Sequence, residues 1–202
     1  MTLTELAIVL GAMGLVMGTV WGIASTVWSS YRVYKTKQEI MDVVANVRDY
    51  YGPMGGIYSN TVSKTSWADG ADITDILNDD SRRLIPIDMR LTRSSDTSAI
   101  RSSSGASFVV QSYSSGRTFR VILSGLSQSS CMRLLKEFPV LMPEMGVVRI
   151  GANSNNSTID ITNVVSPGAS VSLPISAATA AAWCNASSSS NNEVNFDFKV
   201  KN

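Results

Sequence analysis

The hydrophobic and polar positions of the chain predict one long N-terminal helix with two different halves. Residues 6 to 31 include no charged side chain, so this half is apolar on all sides. Beyond it, apolar residues recur with the period of a helix at Ile40, Val43, Val44, Val47 and Tyr51. Gly52 and Pro53 predict the end of the helix. A helix over residues 2 to 51 is about 75 Å long at 1.5 Å per residue.

The apolar half is long enough to cross a membrane, which takes about 20 apolar residues in a helix. It is too long for the core of a signal peptide, and no small-residue cleavage site follows it. Trp21, Trp28 and Tyr31 share one face and predict an interfacial aromatic belt, with Arg32 and Lys35 beyond it. The length disfavours the alternative of an ordinary buried core helix.

Four glycines, Gly11, Gly14, Gly18 and Gly22, interrupt this apolar half. Each costs about 1 kcal/mol in a helix interior relative to alanine. Three of them are spaced four residues apart, a pattern that lets membrane helices approach closely. The alternative interpretation is that glycine is simply tolerated in membrane helices.

Glu5 is the only charged residue before Arg32, and two interpretations of it are open. Thr2 and Glu5 have the spacing of a capping box, in which each side chain bonds to the backbone N–H of the other. In the second interpretation, a carboxylate beside a long apolar run needs a cation when helices bundle. No basic residue lies near it in sequence. The nearest candidate is therefore an α-ammonium group, from its own chain or from a neighbour.

Residues 53–202 predict a head of mixed α and β structure. Residues 53–105 are predicted to be rich in loops, with one short helix at 73–77. Turn residues and β-forming runs predict two hairpins. Ser127 predicts the N-cap of a further helix, and the alanine-rich run from residue 179 predicts another short one. The hairpin strands are 108–110 with 119–123 and 146–150 with 158–162, the helices are 127–137 and 179–184, and 187–192 is a polar loop. Val194, Phe196, Phe198 and Val200 alternate with polar residues and predict a half-buried last strand.

The composition excludes several classes of function. With 17 basic and 16 acidic residues the net charge is +1, which gives no indication of nucleic-acid binding. The chain has no histidine, so histidine-based catalysis is excluded, and its two cysteines cannot build a tetrahedral zinc site. The acids at positions 69, 72, 75, 79 and 80 do not have the spacing of a calcium-binding EF-hand loop. We therefore expect no cofactor, no metal and no enzymatic activity.

Cys131 and Cys184 are the two cysteines, in a chain rich in Ser, Asn and Thr. This pattern predicts one disulfide and an oxidising compartment such as the periplasm or the cell exterior. The alternative is a pair of buried free thiols.

Two segments resemble a known family. Met1-Thr2-Leu3-Thr4-Glu5-Leu6, followed by AIVLGAMGLV, resembles the start of mature type IVb pilins, the family of the toxin-coregulated and bundle-forming pili. This match covers about the first 30 residues and is common to type IV pilins and pseudopilins. The run GLSQSSC, which ends at Cys131, resembles the segment before the family's first disulfide cysteine. With the wide cysteine spacing, it favours the type IVb branch.

The resemblance implies an α+β type IV pilin fold, in which a long N-terminal helix packs on an antiparallel β-sheet head with one disulfide. Residues 1–52 would form that helix, with 1–31 as the transmembrane segment and filament core and 32–52 packed on the head, and 53–202 would form the head. The subunit would polymerise with copies of itself through Met1 and Glu5. Residues 11–18 would lose regular helical hydrogen bonding in the filament.

The resemblance also implies processing and partners. Met1 would be the N-methylated residue that remains after a prepilin peptidase removes a leader. The head would stand in the periplasm, anchored in the inner membrane, until assembly machinery and minor pilins incorporate the subunit into an extracellular pilus for adhesion, aggregation or conjugation. Arg32, Lys35 and Lys37 follow the span, so the positive-inside tendency alone would place the head in the cytoplasm. A basic leader would restore the expected orientation.

Three other functions are open. A pseudopilin of a type II secretion system, or a minor pilin at the fibre tip, would share the N-terminal pattern. A membrane-anchored periplasmic domain that never polymerises belongs to a different class. The wide cysteine spacing and large head argue against a pseudopilin, and Glu5 with the glycine-rich helix argues against the anchored domain.

Overall fold

The computed structural model describes residues 2–60, 63, 65–79, 83–91, 100–138, 146–152, 157–160, 175–184 and 192–200. The helices described are α1 (Leu3–Tyr51), α2 (Thr74–Leu77), α3 (Ile87–Leu91), α4 (Gln128–Glu137) and α5 (Ala177–Trp183). The strands described are β1 (Tyr58–Asn60), β2 (Thr65–Ser66), β3 (Ala71–Asp72), β4 (Ile100–Arg101), β5 (Ser107–Tyr113), β6 (Thr118–Leu126), β7 (Val147–Ala152), β8 (Ser157–Asp160) and β9 (Asn192–Lys199).

Helix α1 is continuous over 49 residues, which confirms the predicted long helix. Thr2 is its extended N-cap, and the helix ends at Tyr51. Glycines that follow helices often take the left-handed conformation, but Gly52 has φ −56° and ψ −45°. A Cβ there would overlap the carbonyl oxygen of Arg48. Gly52 therefore provides room at the end of the helix, not an unusual backbone conformation.

The second half of α1 buries one face against the head. Burial begins immediately after Arg32. The buried residues are Val33, Thr36, Lys37, Glu39, Ile40, Val43, Val44, Val47 and Tyr51. The predicted apolar stripe is thus confirmed. Each fully buried apolar side chain contributes about 1.5–3 kcal/mol, so this face holds the helix firmly on the head.

The head is built on a seven-stranded sheet in the order β3-β5-β6-β9-β7-β8, with β4 also paired to β5. All of its strand pairs are antiparallel. The C-terminal strand β9 lies between β6 and β7, so the end of the chain joins the two hairpins into one sheet. Side chains of α1, the sheet and α4 form one buried cluster. This α+β architecture confirms the predicted fold class.

The two predicted hairpins are present. Strands β5 and β6 pair from Tyr113 opposite Thr118, and the turn between them has positive φ at Ser114, Ser115 and Gly116. Strands β7 and β8 also pair, but β7 continues through residues 151 and 152, which were predicted to lie in the loop. Residues 153–156 and 161–162 lie outside the described part of the chain.

Other predictions for the head were only partly right. Helix α2 confirms the short helix at 73–77, but residues 53–105 also contain β1 to β4 and α3, whose strands are too short for an alternating pattern. Helix α5 begins at Ala177 instead of residue 179, because the side chain of Ser176 accepts from the Thr179 N–H. Asn192 belongs to β9, and the rest of the predicted loop at 187–192 lies outside the described residues.

The predicted disulfide joins Cys131, in α4, to Cys184, which follows the last turn of α5. The two Cα atoms are 5.9 Å apart, and both residues are buried. The alternative of two free thiols was therefore wrong. Ser127 caps α4 by accepting from the Ser130 N–H, as predicted. The bridge thus connects two capped helices that lie beside the sheet.

Candidate functional site

Glu5 takes part in the capping box that begins α1. Its Oε2 accepts from the Thr2 N–H at 2.8 Å, and its own N–H donates to Thr2 Oγ1 at 3.4 Å. An ionised carboxylate offers about four acceptor positions, and this cap uses one of them. Glu5 is exposed, so its remaining acceptor positions can receive another donor. The cap is therefore compatible with a pairing role, while Met1 lies outside the described residues.

The apolar half of α1 projects from the head with its side chains uncovered. Trp21 is 80% exposed and Leu15 is 72% exposed. Soluble monomers rarely expose apolar patches larger than about 300–600 Å². Among the described residues, α1 is also the one helix that is long and apolar enough to cross a membrane, and its apolar window is not buried within the chain. This half of the helix therefore needs a covering that the single chain does not supply.

The four glycines lie on one side of this half. At 100° per residue, Gly11, Gly14, Gly18 and Gly22 fall within an arc of about 80° on the helix surface. Apart from the adjoining residues and the surrounding turns of the helix backbone, no atom of the described residues lies within 4 Å of a Cβ built at any of them. Packing within the chain therefore does not require glycine at these positions. The helix is unbroken over residues 11–18 in the single chain, and the expected loss of hydrogen bonding in a filament stays a prediction.

Hydroxyl side chains in the apolar half bond back to the helix. Thr19 donates to the carbonyl of Val16 at 2.9 Å, and Ser25 donates to that of Gly22 at 2.9 Å. Ser29 and Ser30 both donate to the carbonyl of Thr26. Such bonds satisfy hydroxyl groups where no water is present. The apolar half can therefore enter a dry environment without unsatisfied hydroxyl donors at these positions, a feature that the sequence analysis missed.

Polar contacts reinforce the joint between α1 and the head. Lys37 Nζ lies 2.5 Å from Glu137 Oε2 at the end of α4. The carboxylate of Glu39, 4% exposed, accepts from the N–H and the hydroxyl of Ser103. Thr36 Oγ1 accepts from the Ser104 N–H at 3.2 Å. These contacts fix the head along α1, and the sequence analysis missed them because their partners are distant along the chain.

Two basic residues on the second half of α1 contact other parts of the head. Lys35 donates to Asp88 of α3 at 3.2 Å, and this hydrogen bond raises the pKa of the Lys35 ammonium. Arg48 donates to the carbonyl of Lys199 at 2.8 Å, and burial lowers the pKa of its guanidinium. The helix is thus held at both ends of its packed half.

Two aspartates of the acidic cluster in the head have structural roles. Asp72 accepts from the N–H and the hydroxyl of Thr74 at the start of α2, and Asp69 accepts from the Ser115 N–H in the β5–β6 turn. Among the described residues, no group of three or more acidic or cysteine side chains could hold a metal ion. The carboxylates of Asp69 and Asp72 therefore order local turns.

Comparisons with known proteins give a distant likeness in structure and none in sequence. No protein-family model matches the sequence, and no curated protein sequence matches it. Among solved structures, the chain is similar to the crystal structure of TcpA, a type IV pilin from Vibrio cholerae El Tor biotype. The identity is 14% and the TM-score 0.47, over 83% of this chain and 98% of that one. A likeness this distant assigns no function to the chain.

Proposed function

We propose that this chain is the structural subunit of a type IVb pilus, which polymerises through α1. The observation that carries the proposal is the uncovered apolar half of that helix, with a single carboxylate near its start and four glycines that packing within the chain does not require. The N-terminal resemblance to type IVb pilins supports it.

Two environments, one after the other, would cover an apolar helix of this length. In the membrane, lipid covers residues 1–31 and the head of residues 53–202 stands outside. In a filament, the same surface is covered by the helices of neighbouring subunits, and glycines on one side let those helices approach closely. Residues 32–52 stay packed on the head in both states. The placement of all four glycines on one side of the helix supports helix packing over mere tolerance.

Glu5 then has a role in docking. When the first turns of many helices pack together and exclude water, an isolated carboxylate is expensive unless it is neutralised or paired. The α-ammonium of Met1 on an adjacent subunit is the cation that the sequence places at that depth. Their pairing would fix the axial position of an incoming subunit. The cap to Thr2 leaves acceptor positions on Glu5 for this bond.

The proposal includes the route of the subunit. A prepilin peptidase would produce the N-methylated Met1, and the subunit would reside in the inner membrane with its head in the periplasm. Assembly machinery, with minor pilins, would add it to an extracellular fibre. Adhesion, aggregation and conjugation are the uses of such fibres that this proposal covers.

The test separates the charge of Glu5 from its capping role. Glu5→Gln keeps an acceptor for the Thr2 N–H but removes the charge. Thr2→Ala is the matched control, because it removes the side-chain acceptor of the cap and keeps the charge. We expect Glu5→Gln to remain membrane-inserted and to yield little sheared fibre, whereas Thr2→Ala should assemble. The measurement is the ratio of sheared fibre to membrane-bound subunit in cells that make only the variant.

Electron microscopy of sheared material from wild-type cells decides between the functions. Long fibres made mainly of this chain support a major pilin. Fibres that contain it only in traces indicate a minor pilin, and short periplasmic assemblies indicate a pseudopilin. A chain that stays in the membrane under all conditions would defeat the proposal. If Glu5→Gln gives the wild-type ratio of sheared fibre to membrane-bound subunit, capping of the helix is the better explanation for the glutamate at position 5.

A further inference from the structure

A groove runs along α1 where the helix leaves the apolar half and meets the head. Its lower part, of about 380 Å³, lies between Trp21 and Trp28 on the helix surface. Its upper part, of about 300 Å³, lies between the helix near Arg32 and the segment from β6 into α4. Ser25 and Trp28 line both parts, so the two are neighbours along the helix and are here together called the junction groove.

The two parts of the junction groove differ in chemistry. The lower part is lined by two indole rings, one alanine and Ser25, whose hydroxyl is already bonded to the carbonyl of Gly22. The upper part is lined by Arg32 and by serines at the start of α4, among them Ser127 and Ser130, where the hydroxyl of Ser127 donates to that of Ser130 at 2.9 Å. The groove therefore changes from apolar to cationic and hydrogen-bonding along the helix. Ser25 and Arg32 are separated by about 10 Å of helix.

Arg32 is the charged residue of the groove, and it has no acidic partner in the described part of the chain. Among the described residues it contacts the ring of Trp28, 5.6 Å from the ring centroid, and no carboxylate lies within ion-pair distance of it. Lys35 and Lys37, which follow it on the helix, pair with Asp88 and Glu137. An exposed guanidinium in this position suits a phosphate, which it can bind with two parallel hydrogen bonds.

We propose that the junction groove binds one anionic phospholipid of the membrane in which the subunit is anchored. The phosphate contacts Arg32 and the serine hydroxyls of the upper part, and the glycerol and the first acyl carbons lie between the two tryptophans. This inference rests on the proposed membrane insertion of residues 1–31. The bound lipid would hold the head at a defined height above the bilayer before the subunit is extracted.

The order of groups along the groove favours a lipid over a second copy of the chain. A phospholipid presents its phosphate within about 10 Å of the start of its apolar chains, since the headgroup region of each leaflet is about 5–8 Å thick. That order matches the groove, with the cation above and the apolar walls below. Each basic residue near an anionic surface contributes about 1 kcal/mol, or about a fivefold change in binding.

Native mass spectrometry of the full chain in detergent micelles tests the proposal. The chain is mixed with equal amounts of phosphatidylglycerol and phosphatidylcholine that have identical acyl chains, and the retained lipid is measured. We expect preferential retention of one phosphatidylglycerol, and Arg32→Gln should reduce it about fivefold. Lys35→Gln is the matched control, with the same charge change three residues away and outside the groove, and should retain the lipid.

A second variant tests the groove itself. Ser25→Leu keeps every charge and fills the junction groove where its two parts meet, so it should also lose the lipid. If Ser25→Leu still retains the lipid, the lipid is attracted to the basic surface in general, and the proposed binding in the junction groove is wrong. Displacement of the lipid by excess inorganic phosphate would assign the upper part to free phosphate instead.

Two further outcomes also overturn the lipid site. If Arg32→Gln and Ser25→Leu lose dimers of the chain in the same spectra, the groove holds a second copy. If wild-type chain retains no phosphatidylglycerol but still forms fibres in cells, the lipid site fails and the proposed pilin function stands. A wild-type chain that does not fractionate with membranes before assembly would instead reject the premise of membrane insertion.

Discussion

The disulfide between Cys131 and Cys184 should supply a large part of the stability of the head. The two cysteines are separated by 53 positions in sequence. For a loop of that size, the chain-entropy model gives about 4 kcal/mol of stabilisation from the restricted unfolded state. Typical domains are stable by about 5–15 kcal/mol. Replacing both residues by alanine should therefore remove a quarter or more of the total.

The choice of replacement separates two effects. The double variant Cys131→Ala with Cys184→Ala removes the bridge and leaves small apolar side chains in two buried positions. Cys131→Ser adds a buried hydroxyl, and an unsatisfied polar group costs about 1–3 kcal/mol more. We therefore expect Cys131→Ser to be the less stable of the two and to leave little subunit in cells.

The assay is urea unfolding of the full chain in micelles, followed by tryptophan fluorescence. Trp183 precedes Cys184 and packs against the core, so it reports the region that the bridge holds. Oxidised wild type, reduced wild type and the double alanine variant are compared, and thiol labelling under denaturing conditions establishes the redox state. Reduced wild type and the alanine variant should unfold at similarly low urea concentrations. An alanine variant as stable as oxidised wild type would refute the reasoning, and two labelled thiols in native protein would remove its premise.

Two further changes test the packing of the head by the same unfolding assay. Gly116→Ala should destabilise the head by clearly more than the control Gly55→Ala. Both glycines have positive φ, at +79° and +77°, which costs alanine about 1–2 kcal/mol. A Cβ at Gly116 would in addition overlap the carbonyl of Ile57. Equal losses of stability in the two variants would contradict the close approach of Gly116 to the backbone of Ile57. Arg120→Met should cost about 3–5 kcal/mol because it leaves the buried carboxylate of Asp197 without its cation. Adding Asp197→Leu to Arg120→Met should restore most of that loss. If the double-mutant cycle shows no coupling energy, the ion pair contributes nothing to the stability of the head.

The sequence predicted the elements that depend on local patterns. The long helix, the β5–β6 hairpin and the Ser127 cap of α4 all follow from residues close to one another in the chain. The capping box of Thr2 and Glu5 is equally local and was found for the same reason. Each of these signals lies within a few turns of helix or one β-turn, so a single sequence is sufficient to show it.

Polar contacts between distant side chains were missed, whereas the similarly distant disulfide was predicted because the chain has only two cysteines. The alternating pattern of β9 predicted that Asp197 would lie on a polar face, but this residue is only 6% exposed because it pairs with Arg120 of β6. Hydrogen bonding to Asp197 also raises the pKa of the Arg120 guanidinium. The contact of Glu39 with Ser103 joins positions 64 residues apart. The sequence pattern does not reveal either pair. Periodicity shows which side of a helix or strand is buried, but not which other element packs against that side.

The position of the boundary between the two halves of α1 allows one helix to serve in both proposed environments, the membrane and the filament. Burial against the head begins at Val33, immediately after Arg32, and none of the described side chains before that point belongs to the core. The polar contacts of Thr36, Lys37 and Glu39 then hold the packed half within its first turns. Covering the apolar half by lipid or by neighbouring helices therefore leaves the core of the head unchanged. In the proposed function, extraction from the membrane exchanges one covering for another and requires no unfolding of the head.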